Sequence, residues 1–169
     1  MENTRERLIR YLDDAWAVEK SLVDTLGDMA EETNDPAVRA CFEEHRAVTH
    51  RQEEMLEARI RALGEEPSGG KGFFNQMIGK IGDAMHAAHD PYDKTTLDLM
   101  KAYGVENFEM AMYESLAIFA ETTGDLETAQ LCRTIQAQEQ DAAQKVWALI
   151  PTAAAAAAQA ADQTVERAA

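Results

Sequence analysis

The sequence predicts an all-α protein built from four long helices with one long crossover between the second and third. Three observations carry that expectation. Ala, Glu, Leu, Met and Gln are abundant, Val and Ile are sparse, and no segment alternates with period two. Apolar residues recur at helical spacing along four separate stretches. The links between those stretches read short, long, short.

The first helix is expected from about Thr4 to Glu32, with Asn3 as its cap and Glu6 as the reciprocal partner. Its stripe is Leu8, Leu12, Ala15, Leu22 and Leu26, flanked by Trp16 and Val23. Asp35 then caps a second helix that opens on Pro36, where a missing N–H costs nothing, and stops at Leu63 before Gly64. Its stripe is Val38, Phe42, His45, Thr49, Gln52, Leu56, Ile60 and Leu63. Residues 66–72 form a linker by composition; Gly69-Gly70-Lys71-Gly72 lacks the spacing and the Ser/Thr of a phosphate loop. Phe73 to His89 reads as a short extra helix in the crossover.

The third helix is expected from Tyr92 to Glu121 and the fourth from Asp125 to Leu149, joined by Thr122-Thr123-Gly124. Pro151 is expected to end the packed region, dividing the chain into a bundle of residues 1–150 and an Ala-rich, low-complexity tail of residues 151–169. About thirty residues between helices two and three suffice to cross the bundle lengthwise, which is the ferritin-like topology. An up-and-down bundle with a decorated loop is the alternative.

The chain has 169 residues, with 31 Asp+Glu against 16 Lys+Arg, a formal net charge of −15. That balance argues against a nucleic-acid partner and against a polybasic membrane patch. No apolar run reaches the ~18–20 residues of a membrane span, and the N-terminus lacks a signal-type apolar segment. Two cysteines, Cys41 and Cys132, with no CxxC, point to thiols packed as small hydrophobes in the cytoplasm.

Most acids fall on outward helix faces, where they serve solubility. Four do not. At about 100° per residue, Glu19 lies between Ala15 and Leu22 in its stripe, and Glu139 at the centre of the face formed by Cys132, Ile135, Ala142, Ala143 and Val146. On helix three, Glu106, Glu109 and Tyr113 point between two apolar flanks. The stripes hold no Lys or Arg near Glu19, Glu109 or Glu139, so protons or a metal must neutralise the acids. Carboxylates converging from facing helices form the di-metal carboxylate arrangement, suited to iron or manganese.

Helix two offers two histidines. His50 faces away among Arg46, Glu53 and Glu57, while His45 lies in the stripe and is the candidate nitrogen ligand. The Glu-x-x-His pairs usual in such sites are absent: Ala47 precedes His50 by three, and Ala142 follows Glu139 by three. His86 and His89, beside Asp90, form a secondary candidate in the crossover. Tyr113 is expected to hydrogen-bond Glu109, one turn away, and Trp16 and Tyr103 to lie near the site.

Four segments carry a resemblance to a known family: Leu8 to Lys20 (LIRYLDDAWAVEK), Phe42 to Leu63 with its H-x-x-x-T core, Val105 to Tyr113 (VENFEMAMY), and Gly124 to Val146 around Glu139. The chain resembles the bacterial ferritin-like family of unknown function that includes the YciE/YciF-type stress proteins, across most of residues 5 to 150. The resemblance implies a ferritin-like bundle, a homodimer, a di-iron site and a link to stress responses, and it names no reaction. The family's ligands fall on Glu19, Glu106, Glu109 and Glu139. Relatives commonly carry H-x-x-E-T-x-x-H on helix two; here Val48 stands for the acid and Gln52 for the second histidine. Ala143 replaces a further acid on helix four.

The function expected is therefore a metal-binding protein with a thinned site, holding one or two iron or manganese ions or none, with an oxidase- or peroxide-linked stress role. In it Glu106 or Glu109 bridges, Glu19 and Glu139 are terminal ligands, and His45 supplies nitrogen. The alternative is a metal-free, non-enzymatic structural or interaction bundle.

Overall fold

A computed structural model of the chain describes residues 2–68 and 91–168, with side chains described through residue 162. The described residues form four helices: α1 (Thr4–Glu32), α2 (Pro36–Ala62), α3 (Pro91–Thr123) and α4 (Leu126–Ala168). The extra helix expected at Phe73–His89, and with it His86, His89 and Asp90, lies outside the described residues.

The caps form as their chemistry requires. Asn3 Oδ1 accepts from Glu6 N at 2.9 Å while Asn3 N donates to Glu6 Oε2 at 2.9 Å, a reciprocal capping box. Asp35 Oδ1 accepts from Ala37 N at 2.8 Å and opens α2 at Pro36. Gly64 and Gly124 each adopt φ of 84°, the left-handed conformation that closes a helix. After them Glu65 N reaches Ile60 O at 3.2 Å and Asp125 N reaches Ala120 O at 2.9 Å.

Two contacts settle the topology. Thr33, just past the end of α1, meets Thr95 at the start of α3, Oγ1 to Oγ1 at 3.1 Å. At the opposite end Arg59, near the close of α2, reaches Asp125 before α4 at 2.7 Å. The starts of α2 and α3 therefore lie at the same end of the bundle, and those helices run parallel. The connection from Ala62 to Pro91 must span the bundle lengthwise, which is the ferritin-like arrangement and not the up-and-down one. α1 packs chiefly on α2 and α3 on α4, and the two pairs close with α1 beside α3 and α2 beside α4.

Helix four corrects the expected boundary. It does not stop at Leu149; it continues through Pro151 to Ala168. Proline costs a helix about 3 kcal/mol, but alanine is the strongest helix former, and Ala153, only 4% exposed, packs into the core.

The core is split in two. One cluster includes Leu8, Leu12, Leu56, Ile60, Leu116 and Ile135; the other includes Leu22, Leu26, Phe42, Leu99, Val105 and Val146. Between them each helix sends polar side chains inward: Glu19 from α1, His45, Thr49 and Gln52 from α2, Glu106 and Glu109 from α3, and Glu139 from α4.

Candidate metal centre

The polar layer follows from helical periodicity. Each of its residues occupies a stripe position where the flanking turns are apolar, so folding the stripe inward carries the polar residue with it. His45, Glu19, Glu106, Glu109 and Glu139 are all between 0% and 5% exposed. His50 stays at the surface, its Nδ1 3.8 Å from Glu54 Oε1.

His45, Glu106 and Glu139 each bring one donor atom within 4.8 Å of the others. His45 Nε2 lies 2.9 Å from Glu106 Oε1, though not in hydrogen-bonding alignment, and its Nδ1 has no protein partner. The Glu106 and Glu139 carboxyls face one another within that 4.8 Å, and a proton held between them favours Glu139. Glu19 and Glu109 lie outside this trio but within its electrostatic reach.

Five carboxylate oxygens of the layer lack a hydrogen-bond donor among the described residues: Glu19 Oε2, Glu106 Oε2, both oxygens of Glu109, and Glu139 Oε2. Burial raises all four glutamates above their ordinary 4.5, with mutual repulsion added for Glu19, Glu109 and Glu139. Glu106 is pushed up to about 7 and Glu139 to about 9. Burial lowers His45, holding it neutral and its ring nitrogen available as a ligand. Burial also pushes the Tyr113 hydroxyl well up, with the Glu19 charge behind it.

Asp98 shows what a structural buried acid looks like here. It is 3% exposed, yet Lys94 reaches it at 3.1 Å and Lys101 at 3.2 Å. Among the described residues, the four central glutamates have no such cation. A buried group that is both acidic and unpaired is the combination expected of a site rather than a scaffold.

Sequence reasoning misplaced one contact and missed others. Tyr113 donates not to Glu109 but across the bundle to Glu19 Oε1, because the wheel gives a direction and not a cross-helix partner. Gln52, read as a lost ligand, has a task of its own: its amide donates to Glu139 Oε1 and, at 3.1 Å, to Gln138 Oε1. Trp16 packs in the cluster of Leu8, Leu12 and Leu56, its indole N–H without a partner among the described residues and the Lys20 ammonium 4.5 Å from its ring centroid. Tyr103 turns outward against the exposed Trp147, ring centroids 5.0 Å apart. Asp98 carried no sequence signal, since its lysines sit on the same helix as ordinary surface charges. Cys41 and Cys132 are both free thiols.

The raised acids make the metal-free protein pH-sensitive in a defined direction. Unfolded glutamates ionise near 4.5, whereas Glu106 and Glu139 keep protons to about 7 and about 9 when folded. Across that window the folded chain holds more protons than the unfolded one, so stability falls as pH rises. His45 acts oppositely, but only below its ordinary 6.5. Between pH 6.5 and 8.5, chelator-treated protein should lose about 3 kcal/mol, a drop of about 6–12 °C in melting temperature. A flat or rising profile would contradict the raised acids.

A family described as a domain of unknown function, DUF892, matches residues 3–160. Among solved structures the chain is similar to a protein of Xanthomonas campestris, at 24% identity over 94% of this chain and 98% of that one, with a TM-score of 0.78. It is similar to the E. coli stress protein YciF at 22% identity, over 91% and 98% of the two chains, TM-score 0.77. A Dps protein from Bacillus brevis aligns at 14% identity over 89% and 99%, TM-score 0.70. These likenesses show the ferritin-like fold. No curated protein matches the chain. No helix among the described residues is long and apolar enough to cross a membrane.

Proposed function

We propose that this chain, which belongs to the DUF892 family of unknown function, is a metal-binding four-helix bundle whose central carboxylates hold iron or manganese. The observation that carries the reading is the donor set: three donor atoms of His45, Glu106 and Glu139 within 4.8 Å of one another, amid five carboxylate oxygens that no donor among the described residues satisfies. Carboxylate and imidazole are the ligands these two metals take. His45, Glu106 and Glu139 would hold a first ion, and Glu19 and Glu109 supply the donors for a second. Four ionised carboxylates balance two divalent cations.

Bound iron or manganese would supply one-electron chemistry towards dioxygen or peroxide, the basis of an oxidase- or peroxide-linked role in stress. The chain's own residues prepare the site. The two apolar clusters exclude water from either end of the layer. Tyr113 fixes Glu19 and Gln52 fixes Glu139, so both carboxylates are oriented before an ion arrives. Glu106 and Glu139 release their protons when it binds. The stress association of one structural neighbour is compatible with this role. A cytoplasmic homodimer completes the reading; the exposed Trp147 and Met100 give α3 and α4 an apolar outer face suited to a second copy.

The test is anaerobic Fe(II) or Mn(II) loading followed by desalting and elemental analysis. About one or two ions per chain are expected in the wild type, with loss of the first in Glu106→Ala and of the second in Glu109→Ala. Protein that retains no metal, with an unchanged melting temperature, would sink the proposal.

A second reading has its own support. The Glu106–Glu139, Tyr113–Glu19 and Gln52–Glu139 contacts are bonds that protonated or tethered acids can make without metal. In that reading the bundle is a metal-free, non-enzymatic structural or interaction module.

A further inference from the structure

A cavity of about 220 Å³ opens between α2 and α4 and reaches His45. Cys41, Val48 and Ala142 line its walls. Ala142 stands three residues after Glu139, where a Glu-x-x-His pair would place its histidine, and Val48 is a second apolar side chain on the facing helix. The small and apolar residues that thin the donor set thus also leave an opening beside it. His45 is 5% exposed, the most accessible of the five candidate ligands, and its Nδ1 is unpartnered. A second cavity, beside Glu6, Asp13 and Glu66, touches none of the site residues.

We infer that this cavity is the port through which a hydrated divalent cation reaches the buried carboxylates, an inference that rests on the metal-binding reading above. The volume is several times the ~30 Å³ a water occupies in the liquid, so an ion can pass with part of its hydration shell. Val48, Ala137 and Ala142 make much of the wall between the mouth and His45 apolar. At the mouth, Glu44 on α2 and Asp141 on α4 both face Lys145, whose Nζ lies 2.9 Å from Glu44 and 2.7 Å from Asp141. Two acids against one ammonium leave the mouth net negative, which draws cations and repels anions. Lys145 ties α2 to α4 across the opening and is the side chain an incoming ion displaces. Further in, Gln138 lines the cavity and accepts from Gln52, whose amide also holds Glu139, so a polar path leads from wall to carboxylate.

The experiment is stopped-flow Co(II) binding, read by its visible absorption bands, with equilibrium stoichiometry measured on the same samples. Val48→Phe and Ala142→Phe place a ring in the cavity without touching a candidate ligand. N-ethylmaleimide offers an independent plug: Cys41 is half-buried on the cavity wall, whereas Cys132 is fully buried in the core. Each is expected to slow Co(II) uptake about ten-fold or more while leaving the final stoichiometry unchanged. Lys145→Gln should act in the other direction, speeding uptake about ten-fold at low ionic strength, with the gain fading at high salt. Wild-type uptake rates in both Phe variants and in the adduct would overturn the port while leaving the metal centre standing. Absence of Co(II) binding to the unmodified wild type would overturn both.

Discussion

Manganese(II) at about a thousand-fold excess over its dissociation constant should raise the melting temperature of the metal-free protein by about 8–16 °C at pH 7.5. A ligand that binds only the folded state adds about 4 kcal/mol at that excess, and each kcal/mol moves a domain of this size by about 2–4 °C. The ground for so large an effect is the state of the layer without metal. Glu109 has neither oxygen satisfied, and Glu19, Glu106 and Glu139 each have one oxygen without a donor. A cation relieves both the desolvation and the mutual repulsion that push these acids up. Because Glu106 and Glu139 must lose protons at about 7 and about 9, the shift should be larger at pH 8.5 than at pH 6.5. That trend opposes the decline of the metal-free protein over the same interval. Thermal melts with and without Mn(II) at the two pH values check both signs. A shift of less than a degree, or one that survives in Glu139→Ala, would count against binding in the layer.

Replacing Glu109 with leucine should stabilise the metal-free protein by about 1–4 kcal/mol, a rise of several degrees, while reducing the manganese-induced shift to that of the ion held by His45, Glu106 and Glu139. The substitution exchanges a fully buried, unsatisfied carboxyl for an apolar side chain of similar size, on a helix already apolar around much of its circumference. The same change at Asp98 should do the reverse. There the carboxylate is paired with Lys94 and Lys101; losing it leaves Lys94 with Glu32 at 2.7 Å but strands the 18%-exposed Lys101 ammonium at the edge of the core. Opposite signs at two equally buried acids would separate a site residue from a structural one. Destabilisation in Glu109→Leu would mean that its carboxyl is satisfied in solution by a partner other than metal.

Much of this was legible in the sequence because helices report locally. Asn3 with Glu6, Asp35 with Pro36, and the two glycines that close α2 and α3 are contacts within a few residues of chain, so boundaries there agree with expectation to within a residue or two. The inward placement of Glu19, Glu106, Glu109, Glu139 and His45 followed from the same periodicity. What the pattern could not give was distance between helices. Tyr113 finds Glu19 rather than Glu109 because α1 lies opposite, and Gln52 finds Glu139 because α2 lies against α4. The fourth helix was misjudged for a different reason: Pro151 was weighed as a stop, while the alanines beyond it and the burial of Ala153 favour continuing the helix.

The central claim is that a metal ion occupies the layer between the two apolar clusters. Crystals grown with Mn(II) and measured for anomalous scattering test it most directly. The account predicts a peak bounded by His45, Glu106 and Glu139, with a second, weaker one towards Glu19 and Glu109. Peaks confined to surface acids such as Glu44 and Asp141, with the central layer empty, would contradict it.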